Sequence, residues 1–195
     1  MYMCLLRHGE TDWNNAGKLQ GREDIPLNAK GIGQIKEAAE YLKKFNWKII
    51  ITSPLLRAKM SAEIIAKEID NIEIYEEKDF IEKDYGKASG MTLEERELHF
   101  PDGNFTGVEP FEKLQKRTVH ALLKYTKEFN GNDILIVSHG AAINSILAYL
   151  TSNEIGTAKT PLKNACMSLL EKIDNKINIL YFNKTAGELM DKING

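Results

Sequence analysis

Two short stretches place a histidine and a glycine directly after an apolar run: Leu5-Leu6-Arg7-His8-Gly9-Glu10-Thr11 and Val137-Ser138-His139-Gly140. A neutral imidazole is a competent nucleophile near pH 7, and an arginine grips a phosphate through two parallel hydrogen bonds. Arg57 follows a third apolar run, and Glu82 sits between Phe80-Ile81 and Tyr85-Gly86. Each has a plainer reading alone: His8 as a satisfied strand-end histidine, Arg57 as the partner of a nearby carboxylate, Glu82 as a surface glutamate. Together, two arginines and two histidines make a pocket for a dianion, and a phosphoryl group fits best. One histidine would attack phosphorus while its other ring nitrogen is held as a donor. The second histidine and the arginines would stabilise the equatorial oxygens. A carboxyl at Glu82, raised in pKa by apolar neighbours, would supply and recover a proton.

The elements that must position these residues are legible as periodic runs. Tyr2 to Leu6 reads as a buried strand, and Gly9 lets the chain turn close to a bound group. Asp12 to Asp24 reads as a polar loop in which Asn14, Gln20, Gly21 and Arg22 are candidate anion donors. Asn28 is a candidate N-cap for a helix burying Ile32, Ile35, Ala39 and Leu42, with Gly31 and Gly33 marking close approach in its first turn. Lys48–Thr52 is a strand, ended by Ser53-Pro54. A helix follows with a stripe of Leu55, Ala58, Ala62, Ile65 and Ile69. Its first turn holds Arg57, where a bound anion would help a cation tolerate the helix dipole. Ile72–Tyr75 is a short third strand. Residues 76–112 read as an excursion over the sheet end, with one helix over Met91–Phe100, and as a natural lid. Phe111–Phe129 is a long helix with Leu114, Thr118, Leu122 and Tyr125 on one side. Asp133–Val137 is a strand that runs into His139 and a helix from Ala141 to Leu150. Cys166–Ile173 and Lys176–Phe182 form an antiparallel hairpin, and the last dozen residues are expected to fray. If the strands ending at His8 and His139 are neighbours in a parallel sheet, both histidines lie at one edge, where open α/β sheets bind ligands.

Other chemistries lack their residues. The sequence has no G-x-x-x-x-G-K-[ST] phosphate loop, no G-x-S-x-G elbow, no Cys with Arg six residues later, and no D-x-D or H-x-H metal pattern. A formal net charge of -2 gives no reason to expect nucleic acid or an anionic membrane as partner. No apolar run is long enough to span a bilayer, and Arg7 comes too early for a signal peptide. Cys4 and Cys166 read as buried free thiols, so a cytoplasmic setting is expected. The 195 residues are expected to form one domain, 1–195.

The opening motif with Trp13-Asn14 after it resembles the signature of the histidine phosphatase superfamily, in its phosphoglycerate-mutase-like branch. The likeness runs along nearly the whole chain. Gln20-Gly21-Arg22, Asp24, Pro26-Leu27, Gly31 and Gln34 follow the family's phosphate-loop and first-helix pattern. Ser53-Pro54-Leu55 with Arg57-Ala58 is similar to the segment carrying its second arginine, Glu82-Lys83-Asp84-Tyr85-Gly86 to that carrying its acid, and Val137 to Gly140 to that carrying its second histidine. The resemblance implies an α/β fold, a three-layer α/β/α sandwich with a mostly parallel sheet and an antiparallel edge. It implies His8 as the phosphorylated nucleophile, Arg7, Arg57 and His139 as the phosphate pocket, and Glu82 as the proton donor. Asn14, Gln20, Gly21 and the Gly140 backbone are implied as substrate contacts, with no metal and no cofactor. Met60-Ser61 replace a frequent Gln-Thr pair, so a packing change is expected there. Lys87 to Gly90 replace a frequent aromatic-Glu-Gly ending, and Gly187 stands where some members carry a histidine.

The reading that follows is a metal-independent phosphomonoesterase acting on a small phosphorylated metabolite. Within the family, α-ribazole phosphate, sugar phosphates, phosphoglycerate derivatives and phosphoserine are candidate substrates. A cofactor-dependent phosphoglycerate mutase is the first alternative, revealed by a 2,3-bisphosphoglycerate requirement. A phosphate-binding module without catalysis is the second.

Overall fold

The computed structural model describes residues 1–69, 72–156 and 159–191. Six strands form one sheet in the order β3-β2-β4-β1-β5-β6. β1 (Tyr2–Arg7), β2 (Trp47–Thr52), β3 (Ile74–Glu76) and β4 (Asp133–Ser138) run parallel, and β5 (Met167–Ile173) and β6 (Lys176–Lys184) add an antiparallel edge. β1 is central and buried on both faces, which is why it reads as a continuous apolar run rather than an alternating one. Its alternate side chains still part into two layers. Cys4 and Leu6 pack with α2 (Ala29–Leu42), α3 (Leu56–Glu68) and α7 (Ala186–Met190). Met3 and Leu5 pack with α5 (Phe111–Glu128) and α6 (Gly140–Leu150). The fold is thus a mostly parallel sheet with helices on both faces. Each wholly buried Leu or Ile contributes about 1.5–3 kcal/mol.

The expected stripes face the core: Ile35, Ala39 and Leu42 on α2, Ala58, Ala62 and Ile65 on α3, and Leu114, Thr118, Leu122 and Tyr125 on α5. Cys4 and Cys166 are buried free thiols. Four local expectations are corrected. The loop after His8 opens with a one-turn helix, α1 (Asp12–Asn15), because Thr11 and Asn14 cap it reciprocally. β3 starts at Ile74 rather than Ile72, since only three of its residues pair with β2, and Asn71 lies outside the described residues. Gly31 does permit close approach, its Cα lying against the Glu10 backbone, but Gly33 faces open space. The expected fraying of the last dozen residues fails over its first half. Thr185 and Glu188 cap α7, which buries Ala186 and Leu189; residues 192–195 lie outside the described part. The expected helix over Met91–Phe100 is α4 (Leu93–His99).

Candidate active site

Strand register brings the two histidines together. Arg7 of β1 pairs with Ser138 of β4, so the next residue of each strand, His8 and His139, emerges at the same sheet edge. Their rings lie 5.2 Å apart. β2 ends level with them, as the Ser53 N–H bonds the Val137 carbonyl at 3.0 Å. Three parallel strands therefore deliver residues 7–8, 53–57 and 138–139 to one point.

His8 is poised by its neighbours. Its Nδ1 lies 2.7 Å from the Gly9 carbonyl. A carbonyl only accepts, so Nδ1 carries the proton and Nε2 carries the lone pair. Arg57 Nε donates to that Nε2 at 3.3 Å. Burial, then the charges of Arg57 and Arg7, push the His8 imidazole well below its ordinary pKa, so it is neutral at pH 7. The same causes, burial first and then Arg57, hold His139 neutral. The loop itself is braced backbone to backbone, Gly9 and Glu10 lying directly on the first turn of α2 at Gly31. Ser61 bridges loop and helix, accepting the Gly9 N–H at 3.3 Å and donating to the Arg57 carbonyl at 2.7 Å. The expected packing change at Met60-Ser61 is thus a retained hydroxyl bridge, with Met60 half-buried against the core.

Among the described residues, backbone carbonyls and not carboxylates anchor the two arginines. Arg57 is 1% exposed and donates Nη1 to the Glu23 carbonyl at 2.7 Å and Nη2 to the Gly21 carbonyl at 2.8 Å. Burial pushes it down to about 10, still a cation at neutral pH. Arg7 donates Nη1 to the Leu162 carbonyl, while its Nε is buried without a partner among the described residues. His139 Nδ1 is likewise buried and unpartnered. Buried polar nitrogens left without partners are costly and rare; one belongs to the residue before His8 and the other to the ring 5.2 Å from it.

Glu82 arrives from the excursion. Its carboxylate accepts the N–H groups of Ala141 at 3.1 Å, Ala142 at 3.1 Å and Lys83 at 2.8 Å. It thereby satisfies the start of α6, whose N-cap, His139, makes no side-chain cap. The backbone around it is clamped by Arg117 of α5, which donates to the carbonyls of Asp79 (2.7 Å), Ile81 (2.6 Å) and Glu82 (3.0 Å). Arg117 also pairs with both oxygens of Glu109, at 2.8 and 2.9 Å. Arg22 joins the network through Glu109 at 3.4 Å and Asp84 at 3.5 Å. Burial raises the Glu109 pKa, but the Arg117 hydrogen bonds and charge outweigh it and hold the carboxyl below its ordinary value.

A cavity of ≈ 250 Å³ opens on this cluster, lined among others by Arg7, His8, Asn14, Gln20, Gly21, Arg57, Glu82 and Gly140. His139 lies behind it, wholly buried. Arg7, His8, Asn14, Gln20, Gly21, Arg57, Glu82, Gly140 and, behind them, His139 are therefore gathered here. Arg22 is turned instead to the Glu109 network. Asn14 Oδ1 accepts from Thr11 and from Asn164 Nδ2 at 3.0 Å. Sequence reasoning missed Ser53, Arg117, Glu109, Asn144, Tyr85 and Asn164. Ser53 had a signal, the end of a strand parallel to β1 and β4. Asn164 had none, since it reaches the site through the long connection before β5. Among the described residues no group of three His, Cys, Asp or Glu side chains is placed to hold a metal ion. No described helix is long and apolar enough to cross a membrane.

Residues 3–185 match the histidine phosphatase superfamily, branch 1. The chain belongs to that superfamily. It is 46% identical over 181 residues to an uncharacterized phosphatase, PhoE, of Bacillus subtilis (strain 168), covering 93% of each chain. It is 30% identical over 191 residues to a metal-independent phosphoserine phosphatase of Arabidopsis thaliana, covering 89% of this chain and 77% of the relative. The structure of Bacillus stearothermophilus YhfR superposes with a TM-score of 0.86 at 24% identity, over 92% of this chain and 95% of that one. The enzyme is a phosphatase of the histidine phosphatase type, and its sheet has the phosphoglycerate-mutase-like architecture.

Proposed function

We infer that this histidine phosphatase is one 1–195 domain that hydrolyses a small phosphomonoester without a metal, through a phosphohistidine at His8. The observation that carries the reading is the state of the cluster. A neutral His8 keeps its Nε2 lone pair, and the cluster around it holds a buried donor, Arg7 Nε, and a buried ring nitrogen, His139 Nδ1, with no partner among the described residues. A phosphoryl dianion supplies the acceptor that the Arg7 donor lacks and a partner for that ring nitrogen. As Nε2 bonds phosphorus, the ester P–O bond breaks and Glu82, reacting from its protonated form, gives that proton to the leaving oxygen. Arg57 Nε passes from His8 to a phosphoryl oxygen. Water then attacks phosphorus, losing its proton to Glu82, and the N–P bond breaks to release inorganic phosphate. Asn14, Gln20, Gly21 and the start of α6 at Gly140 line the path of the substrate.

Phosphoserine heads the substrate panel, as the Arabidopsis relative is named a phosphoserine phosphatase, and phosphoglycerate derivatives follow it. The test is phosphate release from such a panel in EDTA, with His8→Ala as control. Release that persists in EDTA and vanishes in the variant supports the reading. Turnover of 3-phosphoglycerate only with 2,3-bisphosphoglycerate would replace it with a mutase.

A further inference from the structure

We propose that Ser53 is a positioning residue that fixes His139 as the Nδ1–H tautomer, so that this histidine meets the phosphoryl group as a donor. Ser53 Oγ lies 2.7 Å from His139 Nε2, and both residues are wholly buried. The same Oγ accepts the Leu55 N–H at 3.3 Å. A hydroxyl has one proton to give, and among the described residues His139 Nε2 is its one acceptor. The serine therefore donates and Nε2 accepts. A neutral imidazole carries one N–H, which this leaves on Nδ1. That nitrogen is buried and has no hydrogen-bond partner among the described residues. The opposite tautomer would strand the serine proton in the core without an acceptor and turn a lone pair toward an incoming anion. His139 stays neutral because burial and then Arg57 disfavour its charged form, so the tautomer decides whether it helps or repels.

The arrangement mirrors that of His8. There a carbonyl acceptor, Gly9, holds the proton on Nδ1 and frees Nε2 to attack. Here a hydroxyl donor holds the lone pair on Nε2 and frees Nδ1 to donate. Two histidines 5.2 Å apart thus share one tautomer for opposite purposes, nucleophile and donor. The role as donor rests on the phosphatase reading, whereas the tautomer does not.

Ring-nitrogen NMR of histidine-labelled enzyme reads the tautomer directly, with His139 assigned by the signal lost in His139→Gln. The proposal expects protonated Nδ1 and bare Nε2 in the unmodified enzyme and in Ser53→Thr. It expects loss of that single state in Ser53→Ala, with inorganic phosphate binding about 10–100-fold more weakly. A protonated Nε2 in the unmodified enzyme overturns the proposal. So does a Ser53→Ala enzyme that keeps both the Nδ1–H signal and its phosphate affinity. If no ester is hydrolysed while Nδ1–H is observed, the phosphatase reading fails and the tautomer assignment stands.

Discussion

The floor of the site and its wall are held by different forces. The floor, residues 7–8, 53–57 and 138–139, hangs from three parallel strands whose register aligns their ends. His8, Ser53, Arg57, Ser138 and His139 are buried there, and the loop above it touches α2 backbone to backbone. The wall, residues 76–112, has one seven-residue helix, and that helix exposes Leu93 and Leu98. It is tied down by the Arg22–Glu109–Arg117 network and by the grip of Glu82 on α6. A floor set by sheet register admits little change without loss of the fold. A wall set by a few polar contacts can be rebuilt residue by residue, so specificity can move while the phosphoryl chemistry stays.

The sharpest way to separate the two is Glu82→Gln. It should lower kcat about 10²–10⁴-fold on alkyl phosphates, whose leaving oxygen needs a proton, and far less on p-nitrophenyl phosphate. Equal losses on both would remove Glu82 from the role of acid. Arg117→Met tests whether the wall depends on its clamp. Breaking a fully buried pair costs about 3–5 kcal/mol, and a loss below that range is expected because Arg117 is partly exposed and Arg22 still faces Glu109. Urea denaturation reads this loss, and the remaining activity should fall more on alkyl than on nitrophenyl esters. Gly31→Ala strikes the floor, since an added Cβ would run into the Glu10 backbone. Overpacking of about 1–3 kcal/mol is expected, with kcat reduced equally on both esters because the loop carrying His8 is displaced.

Two pH effects follow with smaller amplitude. His8 is held well below its ordinary value by burial and the two arginines, so it keeps its lone pair where a free imidazole would be half protonated. The kcat/KM profile should show no imidazole inflection between about pH 6 and 7. Glu109 is depressed, so its contribution to stability is present above the ordinary carboxylate pKa and is lost as pH falls through the lower, folded value. Arg117→Met should flatten that acid limb in a pH series of urea midpoints.

What the sequence made legible was mostly local. An apolar run ending in Arg-His-Gly marks a buried strand with a reactive end, and the α5 stripe of Leu114, Thr118, Leu122 and Tyr125 marks a core-facing helix. The site residues could be named because their strands end in the same direction. Their partners could not, because those contacts are made across the sheet. Nothing near Glu82 says that its carboxylate will hold the start of α6, about sixty positions on. Nothing near Arg117 says that it will bind three carbonyls of the excursion. Two misses were local and readable. Thr11-x-x-Asn14 and Thr185-x-x-Glu188 are reciprocal caps, and each starts a helix where a loop or a frayed end was expected.

The measurement that bears most directly on the account is trapping of the intermediate. The enzyme is mixed with a rapidly cleaved ester, quenched within the first turnover in alkali, where phosphohistidine survives, and digested for mass spectrometry. The account predicts one phosphoryl group, on the peptide carrying His8, and none on that carrying His139. A phosphoryl group on His139, or full turnover by His8→Ala, would contradict it.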